Sequence, residues 1–89
     1  MIEENHPLKI KNLKVIDHIG ILYVTLNGST MWEMDKSAHI VLKMCDGTRT
    51  INEISSKIAR KISLDVDVVK ATVKTILNEL ERLKFIEYV

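Results

Sequence analysis

The 89-residue chain has one cysteine, one proline, three glycines and four aromatic residues, and its 13 Lys/Arg stand against 12 Asp/Glu. A lone cysteine closes no internal disulfide, and no Cys/His group has the spacing of metal ligands, so neither a staple nor a metal is expected. Stability must then come from packing. A free thiol without a disulfide framework suits a reducing compartment, and the expected location is cytoplasmic. Three glycines form no phosphate-cradling loop. A net charge of +1 argues against a dedicated nucleic-acid binder. No apolar run approaches the roughly 18 residues that span a bilayer, so no membrane partner is expected. The opening residues, Met1-Ile2-Glu3-Glu4-Asn5-His6-Pro7, are acidic and lack the charged-then-apolar order of a signal peptide.

What is present is a chain with 46% apolar residues, shorter than the usual domain of roughly 100–150 residues. One domain over residues 1–89 is expected, with 1–8 a flexible N-terminal segment. Two regimes meet near Asp35. Before it, β-prone runs cover residues 9–16, 19–26 and 30–34. Leu22, Val24 and Leu26 recur with period two and share one face of a strand. Asn27-Gly28 signals a hairpin with a loop of two or three residues. Ile10 and Leu13 differ in parity, which predicts a bulge or a late start in the first strand.

After Asp35 the period becomes helical. Asp35 is an N-cap for a helix over 36–44, with Ala38, Val41, Leu42 and Cys45 inward. Asp46-Gly47 stops it, with Gly47 suited to the left-handed C′ position. Thr50-Ile51-Asn52-Glu53 is a capping box opening a second helix whose Ile51, Ile54, Ile58 and Ile62 face inward. Asp65 caps a third, with Val66, Val69, Val73, Ile76, Leu77, Leu80 and Leu83 in its stripe. Residues 85–89 are β-prone. The fold class is α+β: a three-stranded antiparallel β-meander followed by three helices, in a winged helix-turn-helix-like arrangement.

Catalytic chemistry finds little support. Cys45 lies on an inner helix face and reads as a small core residue. Asp35 and His39 are four apart, but no nucleophile accompanies them, so a cap or surface pair is expected rather than an acid/base dyad. The segment Met31-Trp32-Glu33-Met34 carries more content. Trp32 and Met34 read either as core or as part of an adaptable binding surface. A three-stranded sheet has two edges, and an edge accepts an extended peptide by strand addition. On the third helix Lys70, Lys74 and Glu81 form a charged flank. Were that flank to border the open edge, the groove would suit an acidic and apolar peptide.

The stretch from Trp32 to Ile54, with Ser37-Ala38, Val41-Leu42, Asp46-Gly47-Thr48-Arg49-Thr50 and Ile51-Asn52-Glu53-Ile54, resembles the PqqD-like family. The later run, with Leu77, Leu80 and Phe85-Ile86, is similar to that family's closing helix and tail; the likeness covers roughly residues 15–88. The resemblance implies a RiPP recognition element: a non-catalytic, cofactor-free peptide chaperone of natural product biosynthesis. Such a domain binds the leader segment of a ribosomally made precursor peptide. It delivers the leader to a modifying enzyme, a radical S-adenosylmethionine protein or a leader peptidase. The leader would lie along the third strand, here Thr30, Met31, Trp32, Glu33 and Met34, against Lys70, Val73, Lys74 and Leu77 of the third helix. Asp46, Gly47 and Arg49 have capping roles and are not expected to touch ligand. An open edge also permits a homodimer. The alternative is a winged-helix DNA-binding transcription regulator, with Lys70 and Lys74 on phosphates.

Overall fold

The structure, a computed structural model, describes residues 5–89. Its elements are β1 (Pro7–Lys9), β2 (Lys14–His18), β3 (Ile21–Thr25), β4 (Trp32–Met34), α1 (Lys36–Lys43), α2 (Ile51–Ile62), α3 (Val66–Arg82) and β5 (Ile86–Tyr88). β2, β3 and β4 form the antiparallel three-stranded sheet in that order, and β1 pairs antiparallel with β5 in a second, two-stranded sheet. The α+β architecture is the one the sequence predicts; the second sheet is not.

The run over 9–16 is two strands rather than one. The Leu13 amide donates to the Ile10 carbonyl (3.1 Å), and this turn separates β1 from β2. The parity change between Ile10 and Leu13 marks that turn instead of a bulge. β1 lies between β5 and the segment after α1: Lys9 N–H donates to the Cys45 carbonyl (2.8 Å) and Gly47 N–H to the Pro7 carbonyl (3.0 Å). Gly47 has φ +82°, a left-handed conformation that favours glycine, while a Cβ there would sit at ordinary contact distance from Leu8. Residues 1–4 of the expected flexible segment lie outside the described residues; Pro7 and Leu8 are strand.

β2 and β3 are joined by a two-residue turn at Ile19-Gly20, with φ of +52° and +79°. Both values are positive, as in a type I′ turn. The Asp17 carboxylate accepts from Gly20 N–H (3.1 Å) and helps hold a conformation that a β-branched residue disfavours. This is why Ile19, which reads as strand, is turn. The loop from β3 to β4 is longer than the Asn27-Gly28 signal suggests. Asn27 Oδ1 accepts from the amides of Ser29 and Thr30, both at 2.9 Å. The buried Thr25 hydroxyl donates to the Thr30 carbonyl (2.7 Å) and accepts from Gly28 N–H (2.8 Å).

The helices begin at the predicted caps. Asp35 Oδ1 accepts from Ala38 N–H (2.8 Å), the Thr50–Glu53 capping box is complete, and Asp65 accepts from Asp67 N–H (2.8 Å). The core gathers Val24 and Met34 from the sheet, Val41 and Leu42 from α1, Ile51 and Ile54 from α2, Leu77 and Leu80 from α3, and Phe85 and Ile86 beyond it. Ile62 is exposed rather than inward, and Ser55 and Ala59 are buried on α2 in its stead. Ser55 tolerates burial because its hydroxyl donates to the Ile51 carbonyl (2.7 Å).

Candidate functional site: an open strand edge beside the third helix

β4 pairs with β3 on one side, with Leu22 opposite Met34, Tyr23 opposite Glu33 and Val24 opposite Trp32. Its other side pairs with no described strand. Antiparallel ladders alternate bonded and non-bonded residue pairs. His18 and Ile21 close the type I′ hairpin as a bonded pair, so Tyr23, two residues on, turns its backbone groups toward β2. Leu22 and Val24 therefore bond Met34 and Trp32. Glu33 is left as the β4 residue whose N–H and C=O point away from the sheet.

The side chains alternate accordingly. Trp32 and Met34 face the core. Met34 is buried, while Trp32 is 38% exposed and meets the Phe85 ring edge-on, with centroids 5.4 Å apart. Opposite β4 stands the C-terminal half of α3. Between them runs an open cleft of about 370 Å³. Val24, Met34, Leu80 and Phe85 form its floor; Trp32, Ala38, Ile76 and Leu83 form apolar walls; Glu33, Asp35, Thr75 and Glu79 complete the lining. Every ionisable residue of that lining is acidic. Arg82 holds Glu79 through two hydrogen bonds, one of 2.9 Å from Nε, and these keep the Glu79 carboxyl below its usual range. Glu33 and Asp35 have no basic counterpart in the lining.

The structure divides the sequence-predicted site residues. Trp32, Glu33 and Met34 lie together in the cleft, and Thr30 and Met31 are exposed just before β4. Val73 and Leu77 are core residues, 2% and 0% exposed, with no surface to offer a ligand. Lys70 and Lys74 do not line the cleft. At 100° per residue they stand about 120° or more around the helix from Ile76, on the other side of its buried stripe. The helical wall is instead Thr75, Ile76, Glu79 and Leu83. A signal for it was present: the α3 stripe has seven apolar residues, but only Val69, Val73, Leu77 and Leu80 are buried. Of the other three, Val66 is exposed at the start of the helix rather than inward, and Ile76 and Leu83 mark the flank left partly open beside the cleft.

Elsewhere the chemistry is quiet. Burial, with the Asp46 charge adding to it, pushes the Cys45 thiol up to about 12, and Cys45 Sγ lies 3.3 Å from the Val41 carbonyl it donates to. Asp46 accepts from the Thr48 amide and hydroxyl and pairs with Arg49 at 3.0 Å, in the turn that leads to α2. Among the described residues no three His, Cys, Asp or Glu side chains gather as a metal site. No helix formed by them is long and apolar enough to cross a membrane.

The family model for coenzyme PQQ synthesis protein D (PqqD) matches residues 23–86, which run from β3 through α3 into β5. The chain belongs to the PqqD family. Among solved structures it is similar to the PqqD truncation of Methylobacterium extorquens PqqCD, solved by solution NMR. The TM-score is 0.77 at 18% identity, over 97% of this chain and 93% of that one. That protein is described as a functional, stand-alone RiPP recognition element. At this identity the likeness establishes the shared fold. Comparison with curated proteins finds no match.

Proposed function

We propose that this PqqD-family chain is a RiPP recognition element: it binds the leader segment of a ribosomally made precursor peptide as a fourth strand beside β4. It then presents the peptide to a separate modifying enzyme, a radical S-adenosylmethionine protein or a leader peptidase. The observation that carries this reading is the outward-facing backbone of Glu33 beside the β4–α3 cleft. Strand addition draws affinity from main-chain hydrogen bonds and specificity from pockets for alternate side chains, and the outward backbone of Glu33 and the cleft beside it support that mode. Burying two or three leader side chains against Trp32, Ile76 and Leu83 contributes about 1.5–3 kcal/mol each before ordering costs, to which the main-chain hydrogen bonds of the added strand add. DNA binding has less in its favour, because α3 commits its central face to the core and the cleft lining is acidic.

The test is a titration of the ¹⁵N-labelled domain with the leader of a precursor peptide from the same biosynthetic operon. Saturable shifts are expected at residues 31–35 and 75–83. Shifts confined to other surfaces, or none at millimolar peptide, would overturn the reading.

A further inference from the structure

The reading above leaves open what kind of peptide the edge selects, and the residues of β4 bear on this directly. Within β4 Glu33 alternates with Trp32 and Met34, so its carboxylate lies on the face of the strand opposite theirs, while the next carboxylate, Asp35, is turned to cap α1. The free edge thus has an acidic face and an apolar face. An added strand, in either direction, turns the residue level with Glu33 toward the acidic face and its two neighbours toward the cleft.

A second copy of this chain fits poorly. Two-fold pairing of β4 with β4, centred on the residue whose backbone groups are open, sets one Glu33 directly across from the other. Like charges so placed disfavour pairing, as edge charges commonly do in blocking self-association. A cation at the same place is attracted. We infer that the occupant is a heterologous strand with Lys or Arg level with Glu33 and an apolar residue on each side of it, those two packing against Trp32, Ile76 and Leu83. The proposal rests on strand addition at β4 and adds to it the class of peptide. It also reverses the sign of ligand charge that a lysine-lined groove would select.

The experiment is selection of a random 12-residue peptide display library on the whole domain, followed by ¹⁵N mapping of the enriched peptides and their titration against Glu33→Lys. The expected result is enrichment of apolar–Lys/Arg–apolar cores whose shifts map to β4, with affinity falling at least tenfold in Glu33→Lys. Peptides carrying Asp or Glu at the central position should regain binding to that variant. If peptides map to β4 but are neutral or acidic there, or if Glu33→Lys leaves the preference unchanged, the charge inference falls while strand addition stands. If enriched peptides map elsewhere, or nothing is enriched, strand addition fails and takes the inference with it. A concentration-dependent dimer of the native domain through β4, seen by sedimentation without peptide, would overturn it as well.

Discussion

Among the described residues the three-stranded sheet has two open edges, and they differ. β2 offers five exposed residues and, by the same alternation that frees Glu33, the outward backbone groups of Val15 and Asp17. β4 offers three residues and one outward pair. By backbone alone β2 is the better template. Its cleft, however, takes only Val15 from the strand and is otherwise walled by Leu8, Lys9, His39, Leu42, Lys43, Cys45 and Asp46. The β4 cleft is lined by the whole strand and by the face of a long helix. An open ladder is thus common to both, and what sets β4 apart is a second wall in reach of the alternate side chains of an added strand. The two clefts also differ in charge: Lys9 and Lys43 with Asp46 beside β2, Glu33, Asp35 and Glu79 beside β4.

The strongest way to break this asymmetry is to remove what anchors β4. Phe85 is buried and carries Trp32 on its ring edge. Phe85→Ala is expected to destabilise the domain by about 3–5 kcal/mol in urea unfolding. Hydrogen exchange should rise at β4 before it rises at β2. Equal loosening of both edges would show that β4 owes nothing special to that contact.

Next in size is proline at each edge. Glu33→Pro deletes a donor that the ladder with β3 does not use, so the fold should persist, as prolines at outward positions of edge strands do. Leader affinity is expected to fall about tenfold or more by calorimetry, from one lost backbone bond and an unsatisfied carbonyl on the peptide. Val15→Pro on β2 should leave it within about twofold. Comparable losses from both variants would mean that both edges bind.

A smaller effect concerns Cys45, which borders the β2-side cleft yet holds its proton up to about 12. Between the unfolded thiol value near 9 and the folded value, the unfolded chain binds fewer protons, so stability falls as pH rises through that window. The expected loss from pH 8 to pH 10 is about 1 kcal/mol in urea unfolding, and it is markedly smaller in Cys45→Ala. A thiol reagent at pH 8 should label the chain only when it is unfolded.

Much of this architecture is legible in the sequence wherever the cause is local. Asp35, the Thr50–Glu53 box and Asp65 announce their helices because each cap bonds an amide two or three residues away. The second sheet is not legible, since β1 pairs with β5 across nearly the whole chain and nothing in Pro7–Lys9 encodes that partner. Ile19 misleads because a side-chain bond from Asp17 overrides a strand preference. The site divides in the same way. Its strand half is readable from alternation around Trp32. Its helix half depends on how α3 crosses the sheet, which periodicity alone does not determine.

That last point yields the smallest effect and the finest test. The double reversal Lys70→Glu with Lys74→Glu alters charge on α3 as much as any two substitutions can, but on the flank turned away from β4. Lys70 and Lys74 are half-buried, and charges on a flank that salt reaches act only weakly beyond about 8 Å. Leader affinity is therefore expected to change by less than about twofold, with shifts in the bound spectrum confined to neighbours of the two positions. A tenfold loss would mean that the peptide continues past the cleft and around α3, making the second wall of the site the whole girth of the helix rather than the face of Ile76, Glu79 and Leu83.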